Sequence, residues 1–264
     1  MQSNQIKKLL RSMCVDGERI NIDSFSLDWI IETGLVSIAV DYGSLDIEDE
    51  QNKNKLIANN LNAKLWYQSQ FDSTKEIIKK LNEIGIVPTL LKGISVSTQL
   101  YSIPNFRVMR DIDLLVEDND LNKVEAILPE LGYEQKSTYS PEFYETLHHT
   151  MPWQHHTKKI WIEIHKKLFP RTSACYESKV FQLDVIDREK QKGDFHGLDV
   201  FYLSNEFQLV YIATHWAEKF KHIGGVFGLL DIALLINKHA DELNWEKILL
   251  WSNTPYVSGY VYLV

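Results

Sequence analysis

The chain has 264 residues, enough for one large domain or two modest ones, and its 44% hydrophobic content supports an ordinary buried core and excludes a disordered tail. With 28 basic residues against 36 acidic ones the formal net charge is −8, which removes any global attraction to nucleic acid or anionic membrane. A polyanionic ligand would need a local basic patch.

Two cysteines, Cys14 and Cys175, stand far apart and without metal-ligand spacing, which fits a reducing compartment, so a cytoplasmic location is expected. The N-terminus, MQSNQIKKLLRSMCVDGERI, lacks an apolar core followed by a small-residue cleavage site. No stretch approaches the ~20 apolar residues that span a bilayer. A soluble, unprocessed protein is expected.

From Ser3 to about Ile84 the pattern is helical. Leu9, Leu10 and Met13 mark one segment, and Trp29, Ile30 and Ile31 mark the next, stopped by Gly34. The third helix runs from about Glu50 to Ile84, with Leu56, Leu61, Leu65, Ile77, Ile78 and Leu81 expected inward and Gly85 as C-cap. The short apolar run IVPTLL, with Pro88 near its start, reads as a strand. After Gly93 come a short helix, SVSTQLY, a loop containing Pro104, and the strand DIDLLV. Asn119 or Asp118 can cap the next helix, whose Leu121, Val124, Ile127, Leu128 and Leu131 sit at core spacing before Gly132. Ser140 with Pro141 starts another helix. HHTMPWQHHT and KIWIEIHKKLF then read as two alternating strands joined by a polar turn around Thr157 and Lys158.

Beyond Phe169 the chain reads as helical again. Ser204 caps NEFQLVYIATHWAEKF, a second apolar helix lies in VFGLLDIALLINKHA, and a third begins near Asn244. The final SGYVYLV still looks helical and carries no stop signal, so the natural chain is expected to continue past Val264. The fold class expected is α+β, a small mixed β-sheet flanked by N-terminal and C-terminal helical regions, divided as residues 1–84, 85–170 and 171–264.

Side chains on a strand alternate, so Asp111 and Asp113 share one face, with alpha carbons roughly 6 to 7 Å apart. Two carboxylates that close raise one another's pKa unless a cation sits between them. The pair reads either as a solvated strand end leading into the acidic EDND or as a seat for hard divalent cations, Mg²⁺ or Mn²⁺. Upstream, Lys92 and Gly93 stand between a strand and a helix, where glycine lets backbone amides approach phosphate. Ser95 and Ser97 offer hydroxyls there; the bland alternative is a tight strand-to-helix turn.

A third acid is expected from a neighbouring strand, and WIEIHKK offers Glu163, which points with Trp161 and His165 away from the isoleucine face. It would serve as general base or metal ligand, the alternative being an exposed glutamate on a half-buried strand. His148, His149, His155 and His156 precede it. Alternation allows at most one of each doublet to join His165, which weighs against zinc and toward strand packing or contact with phosphate or base. Among the later helices, His215 and Lys219 are four apart on one face and either line a nucleotide cleft or, for His215, pair with Asp231 in the core.

The ordered set LLKG, Tyr101, Arg107, DIDLLV and IEIH resembles the nucleotidyltransferase superfamily that includes DNA polymerase beta, and within it an uncharacterised bacterial nucleotidyltransferase family. LVYIATHWAEKF, LLDIALLI and LNWEKIL resemble that family's helical C-terminal half, and IIETGLVSIAV its N-terminal helices, so the likeness covers most of the chain. It implies a nucleotidyltransferase core over 85–170 on which Gly93 supports the triphosphate, Asp111 and Asp113 bind metal, and Glu163 supplies the third carboxylate. Ile94 and Ser95 follow Gly93 where the superfamily has glycine or serine directly, and the interval to Asp111 is long.

The chemistry implied is attack by an acceptor hydroxyl on the α-phosphate of a nucleoside triphosphate, with two Mg²⁺ or Mn²⁺ ions and departure of pyrophosphate. Lys92, Arg107 and Arg110 supply positive charge, with Lys92, Gly93, Ser95, Arg107, His165, His215 and Lys219 expected toward the nucleotide. The acceptor is not legible in the sequence. Competing readings are a non-catalytic nucleotide-sensing or partner-binding module and a toxin-like enzyme acting on transfer RNA, against which the net acidity argues.

Overall fold

The computed structural model describes residues 7, 8, 11, 20–23, 27–137, 139–223 and 226–261, and for 20–23, 43–46 and 219–223 the backbone alone. The expected helix around Leu9, Leu10 and Met13 lies outside the described residues. Strand β1 (Ile20–Asp23) pairs in parallel with β2 (Gly43–Asp46), a small sheet in a region we read as helical throughout. Between them lie α1 (Leu27–Glu32), ended by the turn at Gly34, and α2 (Val36–Tyr42).

Helix α3 (Glu50–Glu83) starts where Asp49 accepts a hydrogen bond from Asn52 N at 2.8 Å, and it ends before Gly85, whose φ of 78° is left-handed. Leu56, Ile77, Ile78 and Leu81 are buried as expected. Leu61 and Leu65 are not: they are 55% and 60% exposed. The buried seam of α3 instead uses the polar Asn60, bonded from Ser37 Oγ at 2.8 Å, and Gln70, which donates to Met109 O at 3.3 Å. That seam turns the two leucines outward.

The main sheet contains β3 (Thr89–Leu91), β4 (Asp111–Leu115), β5 (Tyr133–Gln135), β6 (Trp153–His155), β7 (Trp161–His165), β8 (Lys190–Asp194) and β9 (Asp199–Leu203), in the order β5-β6-β7-β4-β3-β9-β8. The pairs β4–β7 and β3–β9 are parallel and the others antiparallel, so the sheet is mixed. Helix α4 (Lys92–Leu100) follows β3, α5 (Leu121–Ile127) follows β4, and α6 (Pro141–Glu145) precedes β6. The hairpin β8–β9 falls in a stretch we read as helical, just after α7 (Leu183–Glu189).

The C-terminal helices are α8 (Asn205–Ile223), α9 (Val226–His239), α10 (Trp245–Ser252) and α11 (Val257–Val261). Ser204 accepts from Phe207 N at 3.3 Å and Asn244 from Lys247 N at 3.0 Å, as the capping pattern requires. Among the described residues no helix is long and apolar enough to cross a membrane.

The sheet separates two apolar regions. On one face Leu90, Ile112, Leu114, Ile162 and Ile164 pack with Ile77, Ile78 and Leu81 of α3 and Val124 of α5. On the other, Leu91 and Leu115 join Val96, Phe106, Phe169, Phe207 and Tyr211. Alternation along β4 and β7 therefore sends every acidic side chain of these strands to the second face.

Candidate active site

Parallel pairing sets Asp113 beside Glu163, Asp111 beside Trp161 and Leu115 beside His165, while antiparallel pairing sets Leu91 beside Asp113. One carboxylate oxygen from each of Asp111, Asp113 and Glu163 lies within 4.8 Å of the other two. These are hard oxygen donors on rigid strands, a donor set that fits Mg²⁺ or Mn²⁺.

Asp113 is buried and carries two cationic contacts on the same oxygen, Oδ1: Lys92 Nζ at 2.9 Å and His165 Nε2 at 2.7 Å. His165 Nδ1 faces the Lys167 carbonyl at 3.2 Å, which can only accept, while Nε2 faces the Asp113 carboxylate, a setting that favours the charged ring. Burial works against the His165 charge, but its bonds to Asp113 and Glu163 raise its pKa above the ordinary value. Burial alone would raise Asp113; Lys92 and His165 together outweigh it and hold the carboxyl well below the usual range.

Asp111 has the opposite fate. Burial first, then the charges of Asp113 and Glu163, push it up to about 7. Lys92 and His165 offset only part of that rise, and a divalent cation among the three oxygens would relieve the rest.

Lys92 sits at φ 45°, a left-handed backbone rare for a side chain larger than glycine, and this aims its amine at Asp113. A Cβ on Gly93 would come 2.7 Å from Met109 Cγ, so this glycine lets α4 lie against the loop leading into β4. Ser95 is buried against Gln208 Oε1 at 3.2 Å and Gln99 Nε2 at 2.8 Å.

A family described as uncharacterised nucleotidyltransferase matches residues 43–255. The chain belongs to this family. As a nucleotidyltransferase it is an enzyme that transfers from a nucleoside triphosphate. No curated protein matches its sequence. Solved structures similar to it include ANT(2'')-Ia in complex with adenylyl-2''-tobramycin, at 13% identity over 72% of this chain and 98% of that one, TM-score 0.49. The solution structure of the antibiotic-resistance factor ANT(2'')-Ia is 15% identical over 74% and 95%, TM-score 0.47. An antigenic nucleotidyltransferase-like protein from Paracoccidioides brasiliensis is 15% identical over 74% and 93%, TM-score 0.45.

Of the residues expected at the nucleotide, Arg107 and His215 have these neighbours in the nucleotidyltransferase. Arg107 Nε donates to Asp231 Oδ1 and Oδ2 at 2.9 and 3.1 Å, and its guanidinium lies 4.9 Å from the Phe227 ring centroid. Asp231 also accepts from Tyr101 Oη at 2.7 Å, so its buried partners are Arg107 and Tyr101 rather than His215. The His215 ring packs near Phe169 and Tyr211, with centroids 6.4 and 5.9 Å apart. The Lys219 side chain lies outside the described residues.

The expected limit of one histidine per doublet fails at His148–His149. Residues 146–150 do not form a regular strand, and both rings approach His165, with centroids 4.8 and 5.8 Å away. His155 and His156 serve the fold: His155 Nδ1 accepts from Thr157 N and Lys158 N, each at 3.2 Å, and His156 Nδ1 donates to Gly132 O at 2.6 Å. One neighbour was missed altogether. Tyr211, on α8, is buried with its hydroxyl unpartnered among the described residues and interacts electrostatically with Lys92 and all three carboxylates. Its sequence signal, a tyrosine in an apolar helix, is that of any core residue.

Proposed function

We propose that the protein is a divalent-metal-dependent nucleotidyltransferase that moves a nucleoside monophosphate from a triphosphate to an acceptor hydroxyl. The convergence of Asp111, Asp113 and Glu163 within 4.8 Å carries this reading. Bound there, Mg²⁺ or Mn²⁺ would neutralise phosphate charge and align the attacking and leaving oxygens.

The protein's own groups do the rest. Asp113, fixed by Lys92 and His165, and Asp111 orient from one strand, and Glu163 closes the set from the next. Lys92 Nζ, held on Asp113, brings positive charge beside the carboxylates and toward the triphosphate, whereas Arg107 pairs with Asp231. The acceptor oxygen forms a bond to the α-phosphorus as the bond to pyrophosphate breaks, and the hydroxyl proton passes to Glu163, the third carboxylate. Trp161 and the buried Leu91 and Leu115 beside the carboxylates limit water around them.

The test mixes the protein, Mg²⁺, each labelled triphosphate and a cell extract. Labelled product and pyrophosphate are expected, abolished by EDTA, restored by Mg²⁺, and reduced at least about a hundredfold by Asp113→Asn, the scale of losing one preorganised charge contact. Transfer that survives Asp113→Asn unchanged would overturn the reading.

A further inference from the structure

We propose that His148, Glu163 and His165 form a site for a borderline divalent cation of the Zn²⁺ class, overlapping the all-oxygen site through Glu163. One donor atom from each lies within 4.8 Å of the other two. His165 Nε2 and Glu163 Oε2 are 3.5 Å apart, close to the roughly 3.3 Å edge of a tetrahedron with ligands about 2.0–2.1 Å from the ion. Two imidazoles and one carboxylate, with a position left open, are the donors that select zinc-like ions over magnesium.

Orientation supports the same conclusion. His165 directs Nδ1 at the Lys167 carbonyl, the backbone arrangement that turns Nε2 of a ligating ring toward an ion. His148 Nδ1 is buried without a hydrogen-bond partner among the described residues.

Loading this site draws Glu163 away from Asp111 and Asp113 and replaces the hydrogen bond from His165 to Asp113. The ion therefore competes with Mg²⁺ and inhibits transfer. That competition rests on the Mg²⁺ reading above; the site itself does not.

Co²⁺ added to EDTA-stripped, dialysed protein is the probe. One equivalent should give visible ligand-field bands that Zn²⁺ displaces and Mg²⁺ does not. Asp111→Asn, which removes a carboxylate of the all-oxygen site alone, should leave them intact, and His148→Gln should weaken binding at least about tenfold. Because His148→Gln could also perturb folding, pulsed EPR of Cu²⁺-loaded wild-type protein supplies an independent measure: at least two coupled imidazole nitrogens are expected. Absence of the bands, bands unchanged in His148→Gln, loss of the bands in Asp111→Asn, or fewer than two imidazoles would overturn the site while leaving Mg²⁺-dependent transfer to be judged by its own assay.

Discussion

Asp111 and Asp113 are two residues apart on one strand, yet their surroundings drive them in opposite directions. The difference is who holds the cations: Lys92 and His165 both attach to Asp113. Asp111 rises from an ordinary 3.8 to about 7, so it stabilises the fold fully only below about pH 4 and loses that contribution as pH climbs through 7. In EDTA, Asp111→Asn should match the wild type near pH 4 and exceed it near pH 8 by on the order of 3 kcal/mol in urea denaturation. An equal difference at both pH values would contradict this. The comparison with the variant matters because His148 and His149, kept neutral first by burial, tilt the wild-type curve the other way. The carboxylate positions were legible from the sequence, since the period of two dictates them. Which aspartate would keep its proton was not, because that depends on a lysine 21 residues upstream of Asp113 and a histidine 52 residues downstream.

At the scale of elements, the fold ties the loop before β4 to α9 by a buried ion pair. Arg107 and Asp231 are 124 residues apart, and Tyr101 adds a third bond to the same carboxylate. Removing one partner strands the other in the core, so Asp231→Ala should cost about 3–5 kcal/mol in urea unfolding. Replacing both, as Arg107→Met with Asp231→Leu, should recover a substantial part; a cost below about 1 kcal/mol for Asp231→Ala would show the pair to be exposed or redundant. The sequence signalled that Asp231 needed a partner and pointed to the wrong one, since periodicity reports what faces inward and not what meets it. The hairpin β8–β9 escaped for a related reason: KQKGD is polar and carries glycine, the composition of a protected sheet edge, and shows no apolar alternation. The segment before β6 misled through the opposite error, since the assumed regular strand shrinks to Trp153–His155 after Pro152, and the two histidines ahead of it are free of strict alternation.

For the whole molecule, the long helix α3 shows why spacing alone misplaces leucines. Leu61 and Leu65 repeat with a helical interval but fall beside a buried seam that contains Asn60 and Gln70. Leu61→Lys should therefore change unfolding free energy by no more than about 0.5 kcal/mol, whereas Ile78→Ala should cost about 2–5 kcal/mol. Comparable losses from both would mean that the outward face is covered in solution. The same helix places Leu56 in one apolar region and Ile77, Ile78 and Leu81 in the other, and β4 likewise gives Leu115 to one and Ile112 and Leu114 to the other. Neither region owns its secondary structure. Backbone shared in this way couples the melting of the two halves, so heat should take the sheet, the helical cap and the carboxylate cluster apart in a single step, with near- and far-ultraviolet circular dichroism tracing coincident curves.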